Sequence, residues 1–127
     1  MIVVDASAAL SGLLNDGPAR QTLAHQQIHV PHLVDAEIAS GLRRRTATRA
    51  MSAESAWAAL DTWRRLGMTR YPTFSLLDRV WALRDNVSAH DATYVAIAEL
   101  LGCALLTADS RLARAPGLRR PVTIVPR

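Results

Sequence analysis

MIVVDASAAL, residues 1–10, predicts a short buried strand that runs directly into a helix. Ile2, Val3 and Val4 are β-branched and apolar, as expected for a strand that is buried on both faces. The small residues that begin at Ala6 favour a helix, which the turn sequence NDGP ends. Asp5 therefore stands at the carboxyl end of a buried strand, where open parallel sheets bind their ligands.

The rest of the chain repeats this alternation of short apolar strands and helices. Further strands are predicted at residues 28–30, 68–72, 103–109 and 121–126. Helices are predicted at residues 6–14, 19–26, 31–45, 52–66, 75–84 and 88–101, with a short helix after residue 109. This order predicts an α/β fold, namely a three-layer α/β/α arrangement with a short, mainly parallel sheet of four to five strands. The length predicts a single domain, residues 1–127.

The composition restricts the classes of function. All 15 basic residues are arginine and the formal net charge is +4, which suits an anionic partner. The absence of lysine excludes a P-loop or a Schiff-base mechanism. A single cysteine, Cys103, excludes an internal disulfide and fits a reducing compartment. No apolar run approaches the roughly 18 residues of a membrane helix, so we expect a cytoplasmic protein with no membrane association.

Asp109 repeats the arrangement of Asp5, because it directly follows the apolar strand segment ALLTA. Both carboxylates are therefore expected at the same edge of the sheet. Aspartate is also a favoured helix N-cap, and a helix pattern follows each of these residues. For either residue alone, capping explains the pattern as well as a ligand site does.

Two further acidic residues lie on the inward faces of predicted helices. Glu37 falls within the apolar arc of its helix, where a carboxylate is costly unless another group compensates it. Asp91 also lies among inward residues, although SAHD is compatible with a capping box that begins at Ser88. Asp35 falls on the margin of the apolar arc, so we expect it to be solvated or to support a neighbouring site.

Together these four carboxylates predict a metal site at one edge of the sheet. Carboxylates that lie close together repel one another, and a divalent cation removes that conflict. A site with oxygen ligands alone suits Mg²⁺, with Mn²⁺ also possible. Such ions activate water and stabilise the leaving oxygen, so the sequence predicts metal-assisted phosphodiester hydrolysis.

Four segments of the chain resemble the motif blocks of PIN-domain ribonucleases, in order and in spacing. They are IVVDASAAL, VPHLVDAEIASGL, SAHDATYVAIAELLG and LLTADSRLA, and together they span almost the whole sequence. The length and the HDATYVAIAE segment look most like the VapC toxins of type II toxin–antitoxin pairs. The resemblance implies an endoribonuclease that is neutralised by a cognate VapB-like antitoxin. It also implies a homodimer, and promoter DNA binding only through the toxin–antitoxin complex.

The resemblance also implies roles for individual residues. The catalytic and metal-binding acidic residues of the family correspond to Asp5, Glu37, Asp91 and Asp109. Ser7 and Thr107 match supporting hydroxyl positions, beside the first and the last of these acids. His90 departs from the family, which commonly has tyrosine before the third acidic residue. We therefore associate His90 with substrate contact.

Two other groups of residues permit two interpretations each. Arg43, Arg44 and Arg45, with Arg49 nearby, suit either RNA phosphates or a solvated helix end. Trp57, Leu60 and Trp63 recur at helical spacing, which indicates either a core face or a groove for the antitoxin.

Two alternative functions are also compatible with the sequence. One is a PIN-like nuclease that acts in RNA processing. The other is a non-catalytic binding module whose acidic pocket receives an arginine-bearing partner.

Overall fold

The sheet of the computed structural model, which describes residues 1–127, has five strands that are all parallel. The order across the sheet is β3-β2-β1-β4-β5. The strands are β1 Ile2–Val4, β2 Ile28–Pro31, β3 Met68–Tyr71, β4 Ala104–Thr107 and β5 Val122–Ile124. The predicted α/β fold with a parallel sheet is therefore confirmed.

Seven α-helices and one 3₁₀ turn connect these strands. The helices are α1 Ala6–Leu14, α2 Pro18–His25, α3 Val34–Ala47, α4 Ala53–Arg65, α5 Leu77–Ala82, α6 Ala89–Leu101 and α7 Ser110–Ala113, and the 3₁₀ turn is Thr73–Leu76. Gly102 ends α6 in the left-handed conformation with φ of 65°, which glycine adopts without steric cost. None of the helices combines the length and the apolar character needed to span a lipid bilayer.

Helices cover both faces of the sheet. Helices α1, α3 and α4 pack against one another on one side, whereas α5 packs on α6, and α6 lies against β1, β2 and β4. Val3, Val4 and Val30 in the central strands are completely buried, as are Ile38 of α3 and Ile97 of α6. One continuous core therefore extends through the molecule, as the near-continuous apolar strands predict.

Two predicted boundaries are wrong. Pro31 ends β2, where it pairs with Tyr71, and α3 begins only at Val34. The His32 N–H donates to the carbonyl of Tyr71 at 2.9 Å, so the pairing of the strands extends past the proline. Proline fixes φ near −65°, which both a helix start and a strand end tolerate, and its presence alone did not decide between them. The single helix predicted at 75–84 is a 3₁₀ turn followed by the shorter α5.

The strand order reverses between β1 and β4, which are neighbours with Val4 paired to Leu106. The chain passes from β1 to β2 and β3 on one side, and from β4 to β5 on the other. Such a switch point leaves a crevice at the carboxyl ends of the two strands. Asp5 directly follows β1, and Asp109 lies two residues beyond the end of β4.

Candidate active site

A cleft of about 660 Å³ opens at this switch point. Its walls come from α1, one side of α3 along most of its length, the start of α6, the residues after β4 and Arg127. All four predicted acidic residues line it, namely Asp5, Glu37, Asp91 and Asp109, together with Ser7, His90 and Tyr94. The tertiary structure thus brings the four carboxylates to one cleft from four separate segments of the chain.

Asp5 is the most deeply buried of these carboxylates, with 4% of its surface exposed. Its Oδ1 accepts hydrogen bonds from the Ser7 hydroxyl at 2.7 Å and from the Ala8 N–H at 2.9 Å. The bond from Ala8 makes Asp5 the N-cap of α1. The capping and ligand-site interpretations are therefore compatible, because one side chain has lone pairs for both. Burial raises the pKa of Asp5, and the hydrogen bonds offset only part of this rise.

Ser7 and Thr107 hold Asp5 from two different strand ends. The Thr107 hydroxyl donates to Asp5 Oδ2, while Thr107 Oγ1 accepts the Asp109 N–H at 3.0 Å. Ser7 Oγ similarly accepts the Ala108 N–H at 2.9 Å. Each hydroxyl has one proton and gives it to Asp5, so the 3.2 Å contact between Ser7 Oγ and Thr107 Oγ1 is not a further hydrogen bond. The network fixes the orientation of the Asp5 carboxylate.

Glu37 projects from α3 and accepts a hydrogen bond on Oε1 from the hydroxyl of Tyr94 in α6. Burial raises the pKa of Glu37, and the charges of Asp91 and Asp5 add to this effect. Burial also raises the pKa of Tyr94 far above its ordinary value, and the neighbouring Glu37 raises it further. Tyr94 therefore keeps its proton and remains a donor at any physiological pH.

The role of Tyr94 was not predictable from the sequence. Its position on the inward face of α6, one turn after Asp91, was the available signal. That signal does not distinguish a core tyrosine from one that orients a carboxylate. Only the packing of α6 beside the cleft brings the hydroxyl to Glu37, which lies 57 positions away in the sequence.

Asp91 lies in the first turn of α6, and its N–H donates to the Ser88 hydroxyl at 3.1 Å. Ser88 is thus the N-cap, as predicted, but the carboxylate of Asp91 accepts no hydrogen bond from the Ser88 N–H. The capping box is therefore only half formed, and the carboxylate faces the cleft. Burial raises the pKa of Asp91, and the charge of Asp109 raises it as well.

Asp109 differs from the other three acids because an arginine already neutralises it. Its Oδ1 accepts the Arg111 N–H at 2.9 Å, and Arg111 Nη2 approaches Oδ2 at 3.2 Å. These hydrogen bonds lower the pKa of Asp109 below its ordinary value. Asp109 is the N-cap of α7, which confirms the predicted capping role, and it also lines the cleft.

No three acidic, histidine or cysteine side chains are arranged to enclose a metal ion by themselves. The donor set nevertheless fits a hard divalent cation. Mg²⁺ keeps several of its waters and is usually held by one or two carboxylates together with substrate phosphate. Asp5 accepts three hydrogen bonds and has about four lone-pair sites, which leaves Oδ2 able to contact an ion or its water.

Asp35 does not line the cleft. Its carboxylate accepts hydrogen bonds from Trp63 Nε1 at 2.8 Å and from Arg70 at 2.8 and 2.9 Å. It therefore links α3 to α4 and β3, although 45% of its side chain remains exposed, so Asp35 is both partly solvated, as expected, and ion-paired. Trp63 is 1% exposed and belongs to the core, whereas Trp57 on the same helix is 55% exposed. The core interpretation is therefore confirmed for Trp63 and is wrong for Trp57.

The arginines at the end of α3 also differ in location, since some line the cleft and one does not. Arg44 and Arg45 line the cleft, but the exposed Arg43 does not. Arg127, which the sequence analysis did not consider, lines the cleft as well. The cleft therefore contains basic as well as acidic groups.

Comparison with known proteins agrees with this architecture. The PIN domain family model matches residues 2–118. Ribonuclease VapC9 of Mycobacterium tuberculosis is 58% identical over the full length of both chains. Among solved structures, Mycobacterium tuberculosis VapC20, described as a sarcin-ricin loop cleaving toxin, superposes with a TM-score of 0.65 and 24% identity, covering 88% of this chain and 92% of that one.

A second solved structure is VapBC2 from Rickettsia felis, bound to a DNA fragment from its promoter. It superposes with a TM-score of 0.62 and 16% identity, over 96% of this chain and 98% of that one. At these identities the two structures show a shared fold. The family match and the full-length relative show more: this chain belongs to the VapC ribonucleases of the PIN-domain family.

Proposed function

We propose that this chain is a metal-dependent endoribonuclease that acts as the toxin of a toxin–antitoxin pair. The observation that carries the proposal is the Asp5 carboxylate, held by Ser7 and Thr107 in a cleft that Glu37 and two further acids also line. The ribonuclease name of a relative that is 58% identical supports RNA as the substrate.

Asp5, Glu37, Asp91 and Asp109 would hold Mg²⁺, or Mn²⁺, in the cleft. When bound, such an ion lowers the pKa of a coordinated water and offsets negative charge on the phosphate. Burial raises the pKa of Asp5, Glu37 and Asp91, and a bound cation would favour the ionised form of all three. The residues of the chain supply orientation: hydroxyl groups fix Asp5, and Tyr94 fixes Glu37.

The proposal includes an antitoxin that covers the cleft and promoter DNA binding through the complex alone. The VapBC2 structure, which is bound to promoter DNA, supports an antitoxin partner and DNA binding by the complex, while coverage of the cleft is part of the proposal. Trp57 is exposed on α4, which packs on the cleft-lining helix α3, so it is available to such a partner. Exposed aromatic side chains are frequent anchors of protein interfaces.

We also assign a homodimer to this protein. Phe74, Leu77 and Trp81 form an exposed apolar stripe on the 3₁₀ turn and α5, at helical spacing. Helix α5 packs on α6 and contributes no residue to the cleft. A second copy of the chain on this stripe would bury it by a two-fold contact and would leave the cleft open.

Mapping of cleavage ends across total RNA tests the proposal. Wild-type protein with Mg²⁺ is expected to produce discrete new ends, and none is expected with EDTA or with Asp5→Asn. Asp85→Asn, which changes an exposed carboxylate outside the cleft, is the matched control and should cleave like the wild type. Full cleavage by a folded Asp5→Asn protein would refute the proposed site. Tight binding of a partner protein without any cleavage would favour the binding-module alternative.

A further inference from the structure

Four arginines line the same cleft as the four carboxylates, namely Arg44, Arg45, Arg111 and Arg127. A cleft with carboxylates alone would repel the phosphates of an approaching nucleic acid. A divalent cation offsets this repulsion at one point only. The arginines are therefore the groups that can attract the remainder of a polyanion.

The four arginines differ in whether their side chains already form hydrogen bonds or ion pairs within the protein. Arg111 pairs with Asp109, and Arg45 Nη1 donates to the Gly41 carbonyl at 3.0 Å. The side chains of Arg44 and Arg127 donate no hydrogen bond and form no ion pair. Arg43 and Arg49 are unpaired as well but do not line the cleft, so Arg44 and Arg127 are distinguished by combining a free guanidinium with a position in the cleft. Unpaired guanidinium groups beside a cleft are suited to a phosphate ligand.

The location of Arg44 determines which phosphate it can reach. It follows Glu37 on α3 by two helical turns, so both side chains project from the same side of the helix, about 11 Å apart along the axis. The two side chains therefore line successive parts of one cleft. Arg44 is placed beside the strand as it passes the reaction centre.

Arg127 is held at the cleft by the segment that precedes it. The Val125 N–H donates to the Thr107 carbonyl at 2.8 Å, and the Ser11 hydroxyl donates to the Pro126 carbonyl. These bonds fix the backbone beside β4 and α1, which also carry residues of the site. Arg127 therefore lines the cleft from a backbone segment that these bonds hold in place.

We propose that Arg44 and Arg127 form a phosphate-binding rim that holds the RNA backbone beside the scissile bond. The assignment rests on the proposed endoribonuclease function and adds the residues that bind the substrate strand. Interactions of this kind do not depend on base sequence, so a mixed-sequence RNA is a sufficient probe. Each arginine that binds a phosphate should release condensed counterions and should therefore affect the salt dependence of binding.

The test is fluorescence anisotropy with a labelled, mixed-sequence single-stranded RNA in Mg²⁺ across a range of salt concentrations. Asp5→Asn protein is used as the parent so that the probe stays intact. Adding Arg44→Gln or Arg127→Gln should reduce the slope of log affinity against log salt by about 0.7, the value for one phosphate on a single strand. Arg43→Gln removes the same charge from the adjacent, exposed position outside the cleft and should leave the slope unchanged.

Slopes for Arg44→Gln and Arg127→Gln that equal the slope for Arg43→Gln would overturn the rim. Loss of affinity for a copurified antitoxin, with RNA binding unchanged, would overturn it too, because the arginines would then serve a protein partner. If the nuclease proposal itself is wrong, the experiments give a different result. If wild-type protein does not cleave total RNA but the slopes still fall, the rim stands and the nuclease proposal does not.

Discussion

The hydroxyl of Tyr94 in α6 donates a hydrogen bond to Glu37 Oε1 in α3, and so joins two walls of the cleft. Tyr94 is 1% exposed, and its pKa is raised by burial and by Glu37, so it remains a permanent donor. A carboxylate held in this way can take part in metal binding without first losing side-chain freedom.

Tyr94→Phe should weaken Mn²⁺ binding and slow RNA cleavage while the fold is kept. The substitution removes only the oxygen, so packing is preserved, and loss of a hydrogen bond to a charged group costs about 1.5–3 kcal/mol at most. Titration calorimetry with Mn²⁺ and urea unfolding measure the two effects. Tyr71→Phe is the matched control. It also removes a tyrosine hydroxyl, one that forms a 2.7 Å hydrogen bond with His29 Nδ1, and neither residue lines the cleft. Equal Mn²⁺ affinity in both variants would contradict the positioning role.

Thr107→Val should destabilise the protein and reduce cleavage. Valine has the shape of threonine but cannot donate to Asp5 Oδ2 or accept the Asp109 N–H, and the site is fully buried. Leaving such buried groups unpaired costs about 1–3 kcal/mol. Urea unfolding should show this loss, whereas Thr123→Val on the exposed part of β5 should show little change. Unchanged stability and cleavage in Thr107→Val would mean that Asp5 does not depend on this hydroxyl.

Asp91→Asn should stabilise the metal-free protein at neutral pH. Burial, together with the charge of Asp109, raises the folded-state pKa of Asp91 above its ordinary value of 3.8. The folded state therefore holds this proton more tightly than the unfolded chain does. The free energy of unfolding then falls as pH rises from 3.8 through the raised pKa, and the loss persists above it.

Urea unfolding in EDTA at several pH values measures this effect. In Asp91→Asn the free energy of unfolding should fall less steeply as pH rises. In the exposed control Asp85→Asn it should fall as in the wild type. Added Mg²⁺ should stabilise the wild type more than Asp91→Asn, because a ligand stabilises the state that binds it. A free energy of unfolding that falls more steeply with pH in Asp91→Asn than in the wild type would contradict a raised pKa for Asp91.

Arg111→Gln should tighten Mn²⁺ binding. The guanidinium of Arg111 contacts both oxygens of Asp109, and a cation must compete with it for this carboxylate. Titration calorimetry should therefore give a lower Kd for the variant. Arg114→Gln, at the C-cap of the same short helix, is the control, because its guanidinium contacts only Ser110. An unchanged Kd for Arg111→Gln would indicate that Asp109 does not bind the ion directly.

Much of the fold was predictable because its signals are local. The β-branched residues Ile2, Val3 and Val4 predict β1, and Gly102 predicts the end of α6. Pro31 shows where local signals are insufficient, since proline suits both the end of β2 and a helix start. The pairing of His32 with the Tyr71 carbonyl, which only the assembled sheet provides, decided that boundary.

The sequence by itself determined which acidic residues face inward, because helical periodicity and strand ends depend only on neighbouring positions. It predicted that Asp5, Glu37, Asp91 and Asp109 converge, and all four line one cleft. Only the tertiary structure decided which groups each carboxylate meets.

The partners that the sequence did not reveal come from distant segments. Tyr94 reaches Glu37, Arg127 reaches the cleft, and Asp35 binds Arg70 instead of facing the site. Periodicity predicts which face of its helix or strand a side chain lies on. The group that the side chain contacts depends on which elements the strand order places side by side. The order β3-β2-β1-β4-β5 sets that arrangement, and it follows from packing the whole core at once.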